Sequence, residues 1–427
     1  MYRPSRCLVA VVLFCAAVGC GDTEPEPQPA RGEIVSTTSL LNLPLEQTAA
    51  LLAGGGIRTP VRNGVGAVGG GQPPQPPPAR PPGAVTPTPV RKGADASRAH
   101  YRTITPQGEP TTASGLVVLP RTESERLRVV SYEHGTMTLK SDAPSVDTRN
   151  LPDRLRAVMF AAVGYAATAP DYLGLGTGPG PHPYTHAPSE VSASADLLRA
   201  AQSLAARQRR ELDPNVLVTG FSQGGHAAMA LGKALQAGTI PGFGVAALAP
   251  ISGPYDIRQV QAPAALDGRV VPGAAVLFLS YWITSMNRIH QLYDDPTEAF
   301  QQPYADKVEE LFDGFHNEIT IVTSLATTPG QLLSARFLGL AAEPTGAAAK
   351  AIADSDGTCD WTPRVPVQLY AARGDRAVPY ANTEHCLRAL ASGNATLRDV
   401  GDVDHAGTAR VALPEILSWF QQQFPPS

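Results

Sequence analysis

The sequence predicts an α/β fold, in which helices cover both faces of a mostly parallel β-sheet. Short apolar runs alternate with segments of helical spacing from about residue 100 onwards, and this alternation is typical of parallel strands joined by helices. One β-branched run, Val216–Thr219, leads into a Gly-x-Ser-x-Gly turn that is followed by an Ala-rich helical segment. The 427 residues are enough for one large core with an insertion.

Each element follows from its own stretch of sequence. Apolar runs bounded by turn residues predict strands at 116–119, 128–132, 165–169, 216–220, 245–248, 365–371 and 395–400. Apolar residues near helical spacing predict helices at 153–163 and 192–207, one that begins near residue 225, and a closing helix at 413–420. The alternation breaks at about 255–360, where scattered aromatic residues among polar helical stretches predict a helical cap, or alternatively a peripheral helical subdomain.

The turn around Ser222 predicts a nucleophile elbow. A serine on a sharp turn between a strand and a helix has a strained backbone, and the neighbouring chain passes so close that only small residues fit on either side. Gly220 and Gly224 meet this demand. The alternative is a glycine-rich turn with an incidental serine, but the strand before it and the helix after it favour a candidate nucleophile.

A serine nucleophile needs a histidine base that is itself oriented by a carboxylate. Asp375 directly follows a predicted buried strand, and His405 follows the last predicted strand, where a long loop could carry it to Ser222. Asp404 is a competing acid, but adjacent side chains rarely place a carboxylate on a neighbour's ring nitrogen. His385 is a competing base, although its sequence context is typical of a helix surface.

An oxyanion hole needs backbone N–H donors beside the nucleophile. Gln223 directly follows Ser222, and a second donor is expected in the loop after the strand that ends at Tyr132. In that loop His134, Gly135 and Thr136 all remain candidates, because the sequence does not distinguish their amides. His134 as a second catalytic base is an alternative that we favour less.

The N-terminal region predicts export. Residues 1–20 combine two arginines, an apolar segment and a small-residue end, as in a signal peptide. Cys20 closes a partial match to a bacterial lipobox, so it would be acylated in a lipoprotein and would anchor the chain to a membrane. The alternative is a freely secreted protein, and either case places the chain outside the cytoplasm or at the cell envelope.

After the leader the sequence predicts a flexible tether at 21–32, an N-terminal segment with apolar residues at 33–57, a Gly/Pro-rich linker at 58–95 and a catalytic domain at 96–427. Cys359 and Cys386 are the two cysteines outside the leader, and in an exported chain they predict a disulfide.

Charge and histidine spacing exclude other classes of function. A net charge of -4 gives no basic surface for nucleic acid, so we expect no nucleic-acid partner. His182 and His186 are four residues apart, but Pro183 argues against a helix there, and we expect neither a metal site nor a cofactor. The oligomeric state does not follow from the sequence.

Several segments together resemble the secretory lipase family of α/β-hydrolases, in its bacterial branch. The similar segments are Tyr101–Thr103, Ala113–Pro120, Tyr132–Thr136, Ala169–Gly176, His182–Tyr184 and Gly220–His226, together with Gly374–Asp375 and Asp404–His405. The resemblance implies the α/β-hydrolase fold, hydrolysis of acyl esters by Ser222, Asp375 and His405, and a cap that shapes an acyl pocket. It also implies that the 33–57 segment packs on the body and that Asp171 and Tyr172 line or brace the site.

The resulting hypothesis is an exported serine carboxylester hydrolase that works through an acyl-enzyme on a lipid or other ester substrate. A serine peptidase of the same fold is the alternative enzyme, because esters and amides are cleaved by the same set of groups. A binding protein that keeps the fold without turnover is a further alternative, which the presence of Ser, Asp and His in the expected order disfavours.

Overall fold

The computed structural model describes residues 30–54, 90–149 and 152–427. The predicted signal peptide, Cys20, most of the tether and most of the Gly/Pro-rich linker lie outside the described residues. Within them, no helix has the length and apolar character that a membrane span requires.

The strands of the described chain form one large sheet and one small one. They are β1 (Ile34–Leu43), β2 (Ala94–Ile104), β3 (Pro110–Pro120), β4 (Arg126–Leu127), β5 (Val129–Glu133), β6 (Ala166–Pro170), β7 (Glu211–Leu212), β8 (Asn215–Phe221), β9 (Gly244–Ile251), β10 (Val367–Ala371) and β11 (Ala395–Asp399). The nine strands of the large sheet lie in the order β1-β2-β3-β6-β5-β8-β9-β10-β11, while β4 pairs with β7. The predicted α/β fold class is therefore confirmed.

The large sheet is parallel where the candidate site lies and antiparallel at its N-terminal edge. Strands β6, β5, β8, β9, β10 and β11 run parallel to one another, whereas β1, β2 and β3 pair with antiparallel neighbours. The carboxyl ends of β5, β8 and β10 consequently meet at one edge, which is where parallel sheets bind ligands.

The helices of the described chain divide between the sheet and an inserted region. They are α1 (Leu45–Gly54), α2 (Pro152–Ala162), α3 (Ala187–Arg207), α4 (Gln223–Ala237), α5 (Ala262–Leu266), α6 (Pro272–His290), α7 (Val308–Leu311), α8 (Glu318–Ser324), α9 (Pro329–Leu332), α10 (Ala335–Ala342), α11 (Gly346–Ser355), α12 (Tyr380–Leu390) and α13 (His405–Gln423).

Two apolar clusters lie on opposite faces of the sheet. On one face Leu198 of α3 and Leu231 of α4 pack against sheet residues such as Val218. On the other face Phe160 of α2 and Phe420 of α13 pack at a ring-centroid distance of 6.3 Å. Side chains on both faces of the central strands are thus removed from water, which explains why those strands are nearly continuous apolar runs.

The N-terminal segment is built into the sheet. Strand β1 forms an antiparallel ladder with β2 from Ile34 to Leu43, so backbone hydrogen bonds attach the segment directly to the body. Strand β2 begins at Ala94. The first strand of the body therefore starts two residues inside the stretch predicted as linker, because Ala94 and Ala96 face the core of α2 and β3.

The helices α5 to α11 lie in the insertion between β9 and β10. They have their own apolar cluster, in which Met286 of α6, Phe312 and Leu332 are fully or almost fully buried. A π-helical turn at Ile257–Gln261 leads into this region. The insertion is therefore a packed helical layer and not a long irregular loop.

Two helix boundaries differ from the sequence prediction. Helix α3 begins at Ala187, five residues before the predicted start, because Pro188 occupies a first-turn position where no N–H is needed. Helix α13 begins at His405 and not at residue 413, because the Asp404 side chain accepts a hydrogen bond from Gly407 N and caps the helix. The prediction of a long loop carrying His405 is thus wrong, since His405 is the first residue of this helix.

Cys359 and Cys386 form a disulfide with a Cα–Cα distance of 5.2 Å. Both cysteines are buried in the same core cluster, and Cys386 lies on α12. The bond joins the chain that leaves the helical insertion to α12, and α12 directly follows the loop that carries Asp375.

We expect loss of the disulfide to destabilise the fold. The bond closes a loop across 27 residues, so the chain-entropy model gives a loss of about 3–4 kcal/mol for the double variant Cys359→Ala/Cys386→Ala. Urea unfolding measures this loss. A reducing agent should lower the stability of the wild type and leave the double variant unchanged; equal stabilities of the two proteins would contradict the prediction.

Candidate active site

Ser222 lies at the junction of β8 and α4 with a positive φ of 60° and ψ of -121°. Such a conformation is strained for a residue with a side chain. The surrounding backbone leaves no room for larger residues, since a Cβ atom on Gly220 would lie 2.2 Å from Gly224 O and one on Gly224 would lie 2.0 Å from Glu133 O. The elbow therefore packs directly against the end of β5, and both glycines are required by this close approach.

The structure brings Ser222, His405 and Asp375 together in one hydrogen-bonded chain. The Ser222 Oγ atom lies 2.8 Å from His405 Nε2, and the Asp375 Oδ2 atom lies 2.7 Å from His405 Nδ1. With the proton on Nδ1, the imidazole donates to the carboxylate and accepts from the hydroxyl. This is the arrangement in which a histidine can remove the serine proton.

Asp375 is held by the loop that follows β10. Its Oδ1 atom accepts hydrogen bonds of 2.9 Å from the N–H groups of Ala377 and Val378, while Oδ2 bonds to His405. The side chain is fully buried. Both carboxylate oxygens are therefore paired, and the carboxylate has a fixed orientation towards the imidazole.

The competing residues have other partners. Asp404 is exposed and caps α13 through Gly407 N, so it does not contact the His405 ring nitrogens. His385 lies on α12, with its Nδ1 atom 2.9 Å from Asp256 Oδ2. Neither side chain forms a hydrogen bond with Ser222 or with the His405 ring.

The candidate oxyanion residues lie on two sides of Ser222. Gln223 is the first residue of α4, so its backbone N–H is one of those that lack an intrahelical acceptor. A Cβ atom added to Gly135 would lie 3.3 Å from Phe221 O and 3.6 Å from Ser222 Cβ, so this backbone passes close to the elbow. The ring of His134 is buried and its Nδ1 donates to Gly135 O over 2.7 Å, so this histidine orders the loop and does not reach Ser222.

Asp171 and Tyr172 lie behind the 134–136 loop. Asp171 is fully buried and accepts hydrogen bonds from Ser114 Oγ and from the backbone and side chain of Ser145. The Tyr172 ring packs 4.3 Å from the His134 ring, and its hydroxyl donates to His134 O. Neither residue lines a cavity at Ser222, so the pocket expectation is corrected to a bracing position.

Beneath the elbow lies a buried polar network that the sequence analysis missed. The Gln223 side-chain amide donates to Glu190 Oε1 over 3.0 Å and to His182 Nε2 over 2.9 Å. The second oxygen of Glu190 lies 2.7 Å from His226 Nδ1. Burial lowers the pKa of His182 to about 4, so its ring is neutral and can accept. The network fixes the Gln223 side chain, and hence the first turn of α4.

The sequence contained one signal for this network, namely polar residues on apolar segments. Gln223 and His226 lie in a helix that is otherwise built of small and apolar residues, and Glu190 lies in the first turn of α3. Buried polar groups need partners, so these residues had to pair with one another or with the backbone.

Two cavities meet at Ser222. The first is enclosed by the helical insertion and is almost entirely apolar, with Phe278, Trp282, Leu340, Ala348 and Ile352 among its lining residues. The second is more polar: its lining includes Thr136, Asp153, Arg156, Glu318 and His405. Ser222 therefore faces an apolar compartment on one side and a cleft with several charged residues on the other.

His182 and His186 are not joined in one site. The His182 ring bonds to Leu173 O and Gln223, whereas His186 precedes the first residue of α3 and faces His290 and Asp354. Since Pro183 lies between the two histidines and the helix starts only at Ala187, the pair does not share a helical face.

The fold and this site define a hydrolase of the α/β type, and comparisons with known proteins agree. The model of the family described as "Alpha/beta hydrolase family" matches residues 134–410, and the chain belongs to that family. The resemblance to secretory lipases is thus confirmed at the level of the α/β-hydrolase family. No curated protein matches the chain.

Among solved structures, the chain is similar to the rice cell wall degrading esterase LipA from Xanthomonas oryzae, with 26% identity, a TM-score of 0.76 and coverage of 92% of this chain and 98% of that chain. A putative hydrolase from Legionella pneumophila has 25% identity, a TM-score of 0.76 and coverage of 92% and 99%. Candida antarctica lipase A in its closed state has 14% identity, a TM-score of 0.62 and coverage of 92% and 82%, which shows a shared fold.

Glu133 makes the stability of the site region dependent on pH. Burial raises the pKa of this carboxyl from its ordinary value of 4.5 to about 7, despite hydrogen bonds from Ser131 and Ser194 that lower it. Between these two pH values the unfolded chain releases the proton while the folded chain retains it, so stability falls as pH rises through this window.

We expect Glu133→Gln to remove this pH-dependent loss. Between pH 4 and pH 8 the unfolding free energy of the wild type should fall by roughly 3 kcal/mol relative to that of Glu133→Gln. Urea unfolding across this range measures the difference. Glu123→Gln, at an exposed position, is the control and should show no such shift; a constant difference for Glu133→Gln would contradict the prediction.

Proposed function

We propose that the protein is an exported serine carboxylester hydrolase of the lipase and esterase type. The observation that carries the proposal is the hydrogen-bonded chain from Ser222 Oγ through His405 to Asp375. The LipA similarity supports it, since that neighbour is an esterase.

In the proposed reaction the Ser222 oxygen attacks the ester carbonyl while His405 Nε2 takes the hydroxyl proton. The C–O bond to the alcohol breaks, and His405 gives the proton to the departing oxygen, which leaves an acyl group on Ser222. Water then attacks this acyl-enzyme with His405 again as the base, and the acid is released. Asp375 orients the imidazole and stabilises its positive charge in both steps.

The negative charge on the carbonyl oxygen needs donors that are in place before the reaction begins. We assign one to the backbone N–H of Gln223 and the other to the loop of His134, Gly135 and Thr136. The buried network of Gln223 with Glu190 and His182, together with the close contact of Gly135 with Phe221 and Ser222, supports a rigid position for both sides.

The two cavities suggest how an ester would bind. An acyl chain gains free energy from burial, about 25 cal/mol per Å² of apolar surface, so we assign it to the apolar cavity. The alcohol portion would then lie in the charged cleft beside Arg156 and Glu318. In this proposal the helices between 257 and 355 act as the cap, because they supply most of the lining of the apolar cavity.

Export remains part of the proposal. The signal-like sequence at 1–20 suggests it, and the Cys359–Cys386 disulfide is compatible with an oxidising compartment. We propose an acylated Cys20 as a membrane anchor, with a secreted form as the alternative. The mechanism uses only side chains and backbone amides of this chain together with water.

Removal of the nucleophile tests the mechanism. Ser222→Ala should lower the hydrolysis rate of a p-nitrophenyl acyl ester by about 10⁶-fold and abolish labelling by a fluorophosphonate probe. Asp375→Asn should cost about 10⁴-fold, because the imidazole loses its orienting carboxylate. Thermal unfolding should show that Ser222→Ala remains folded.

Asp404→Asn is the matched control for Asp375→Asn. Asparagine caps a helix about as well as aspartate, so this variant should keep nearly full activity. A larger loss for Asp404→Asn than for Asp375→Asn would overturn the assignment of the acid, and full activity of Ser222→Ala would overturn the proposed function.

Filling the apolar cavity should change the preference for acyl length. Ala348→Phe places a ring in the cavity, so kcat/KM for a lauroyl ester should fall about 10-fold or more relative to that for an acetyl ester. The ratio of the two p-nitrophenyl substrates measures the effect. Ala274→Phe alters the other cavity and is the control; an unchanged ratio in Ala348→Phe would refute the assignment of the acyl chain to the apolar cavity.

A further inference from the structure

Two histidines and one aspartate meet where α3, α6 and α11 come together. His186 directly precedes α3, His290 ends α6, and Asp354 lies in the last turn of α11. One candidate ligand atom from each side chain lies within 4.8 Å of the other two. None of the three residues lines the cavities at Ser222, so the cluster is separate from the candidate active site.

Within the cluster, His186 is held in one orientation by its helix. Its side chain is buried, and its Nδ1 atom lies 2.7 Å from Ser189 Oγ in the first turn of α3. When Nδ1 donates to that hydroxyl, Nε2 is the nitrogen with the free lone pair. This Nε2 lies 3.8 Å from Asp354 Oδ2.

His290 provides the independent sign of a ligand. Only 7% of its side chain is exposed, and its Nε2 atom has no hydrogen-bond partner among the described residues. This nitrogen is 3.2 Å from Asp354 Oδ2, but the two groups are not aligned for a hydrogen bond. Buried polar atoms are rarely left in this state, so a missing partner is the simplest explanation.

We propose that His186, His290 and Asp354 bind a divalent transition-metal ion, with Zn²⁺ as the best match. Two imidazole nitrogens and one carboxylate oxygen form a donor set that zinc prefers. Ligand atoms bound to a tetrahedral zinc lie roughly 3.3 Å apart, given bond lengths of about 2.0–2.1 Å. The distances of 3.2 and 3.8 Å to Asp354 Oδ2 agree with this spacing after a small movement of His186.

The charges around the cluster are mixed. Asp354 supplies a negative charge, and the Glu190 carboxylate on α3 also attracts positive charge at His186. Lys350, one turn before Asp354 on α11, acts on His290 with a positive charge and opposes a bound cation. Asp354 is about one-third exposed, which leaves solvent access for a water molecule as the fourth ligand.

An ion at this position would connect two parts of the molecule. His290 and Asp354 belong to helices of the insertion, whereas His186 belongs to the segment that leads into α3 on the sheet. Because the three ligands come from distant parts of the chain, binding would stabilise the contact between insertion and body. This inference does not depend on the proposed ester hydrolysis.

The test uses protein that has been treated with a chelator and then titrated with Zn²⁺. Isothermal titration calorimetry should give one zinc ion per chain, and Zn²⁺ should raise the thermal unfolding midpoint of the wild type. Replacement of Zn²⁺ by Co²⁺ should give the visible absorption bands of a tetrahedral site. Ser222→Ala should bind Zn²⁺ like the wild type, since it leaves all three ligands intact.

Variants identify the ligands. His290→Ala and Asp354→Asn should each weaken Zn²⁺ binding about 100-fold or more and remove the thermal shift. Asp354→Asn is the safer variant for folding, because its side chain is partly exposed. His316→Ala is the control, since that histidine pairs with Asp313 in the insertion and belongs to no group of three candidate ligands among the described residues. Absence of one-to-one binding in the wild type, or wild-type affinity in Asp354→Asn, would overturn the proposal.

Discussion

The close approach of α4 to the end of β5 is the constraint on which the site depends. Gly224 touches the backbone of Glu133, and Gly220 touches the backbone of Gly224, so three segments meet without intervening side chains. This contact holds Ser222 in its strained conformation and brings the 134–136 loop beside it. Any side chain at these positions would move Ser222 away from its neighbours, because backbone atoms cannot yield as a flexible side chain can.

The groups beneath this contact are polar, buried and almost all paired. Asp171 holds the chain behind the loop, Glu190 holds the Gln223 side chain, and the backbone amides of Ala377 and Val378 hold Asp375. Such networks cost free energy when they are incomplete, but when complete they fix positions that apolar packing alone leaves adjustable. The positions of Ser222, Gln223 and Asp375 thus depend on buried partners that lie outside the hydrogen-bonded chain of Ser222, His405 and Asp375.

The helical insertion gives the site its asymmetry. Its apolar cluster packs independently of the sheet, and the residues that face Ser222 form an apolar cavity on one side only. The charged cleft on the other side borders α2 and α8, where Arg156 pairs with Asp153. The fold therefore places Ser222 between two compartments of different polarity, while the His186, His290 and Asp354 cluster lies at a different junction of insertion and body.

The sequence by itself determined the parallel strands of the sheet and the elbow, because those strands are short apolar runs bounded by turn residues and the turn at Ser222 needs glycines on both sides. The order of Ser222, Asp375 and His405 along the chain also followed from the alternation of strands and helices. Only the tertiary structure decided that His405 begins a helix capped by Asp404, that Glu190, Gln223 and His182 form one network, and that Asp171 and Tyr172 brace the loop. Most of these relations join residues that are far apart along the chain. Local sequence patterns indicate that a buried polar residue needs a partner, but packing in three dimensions decides which partner it finds.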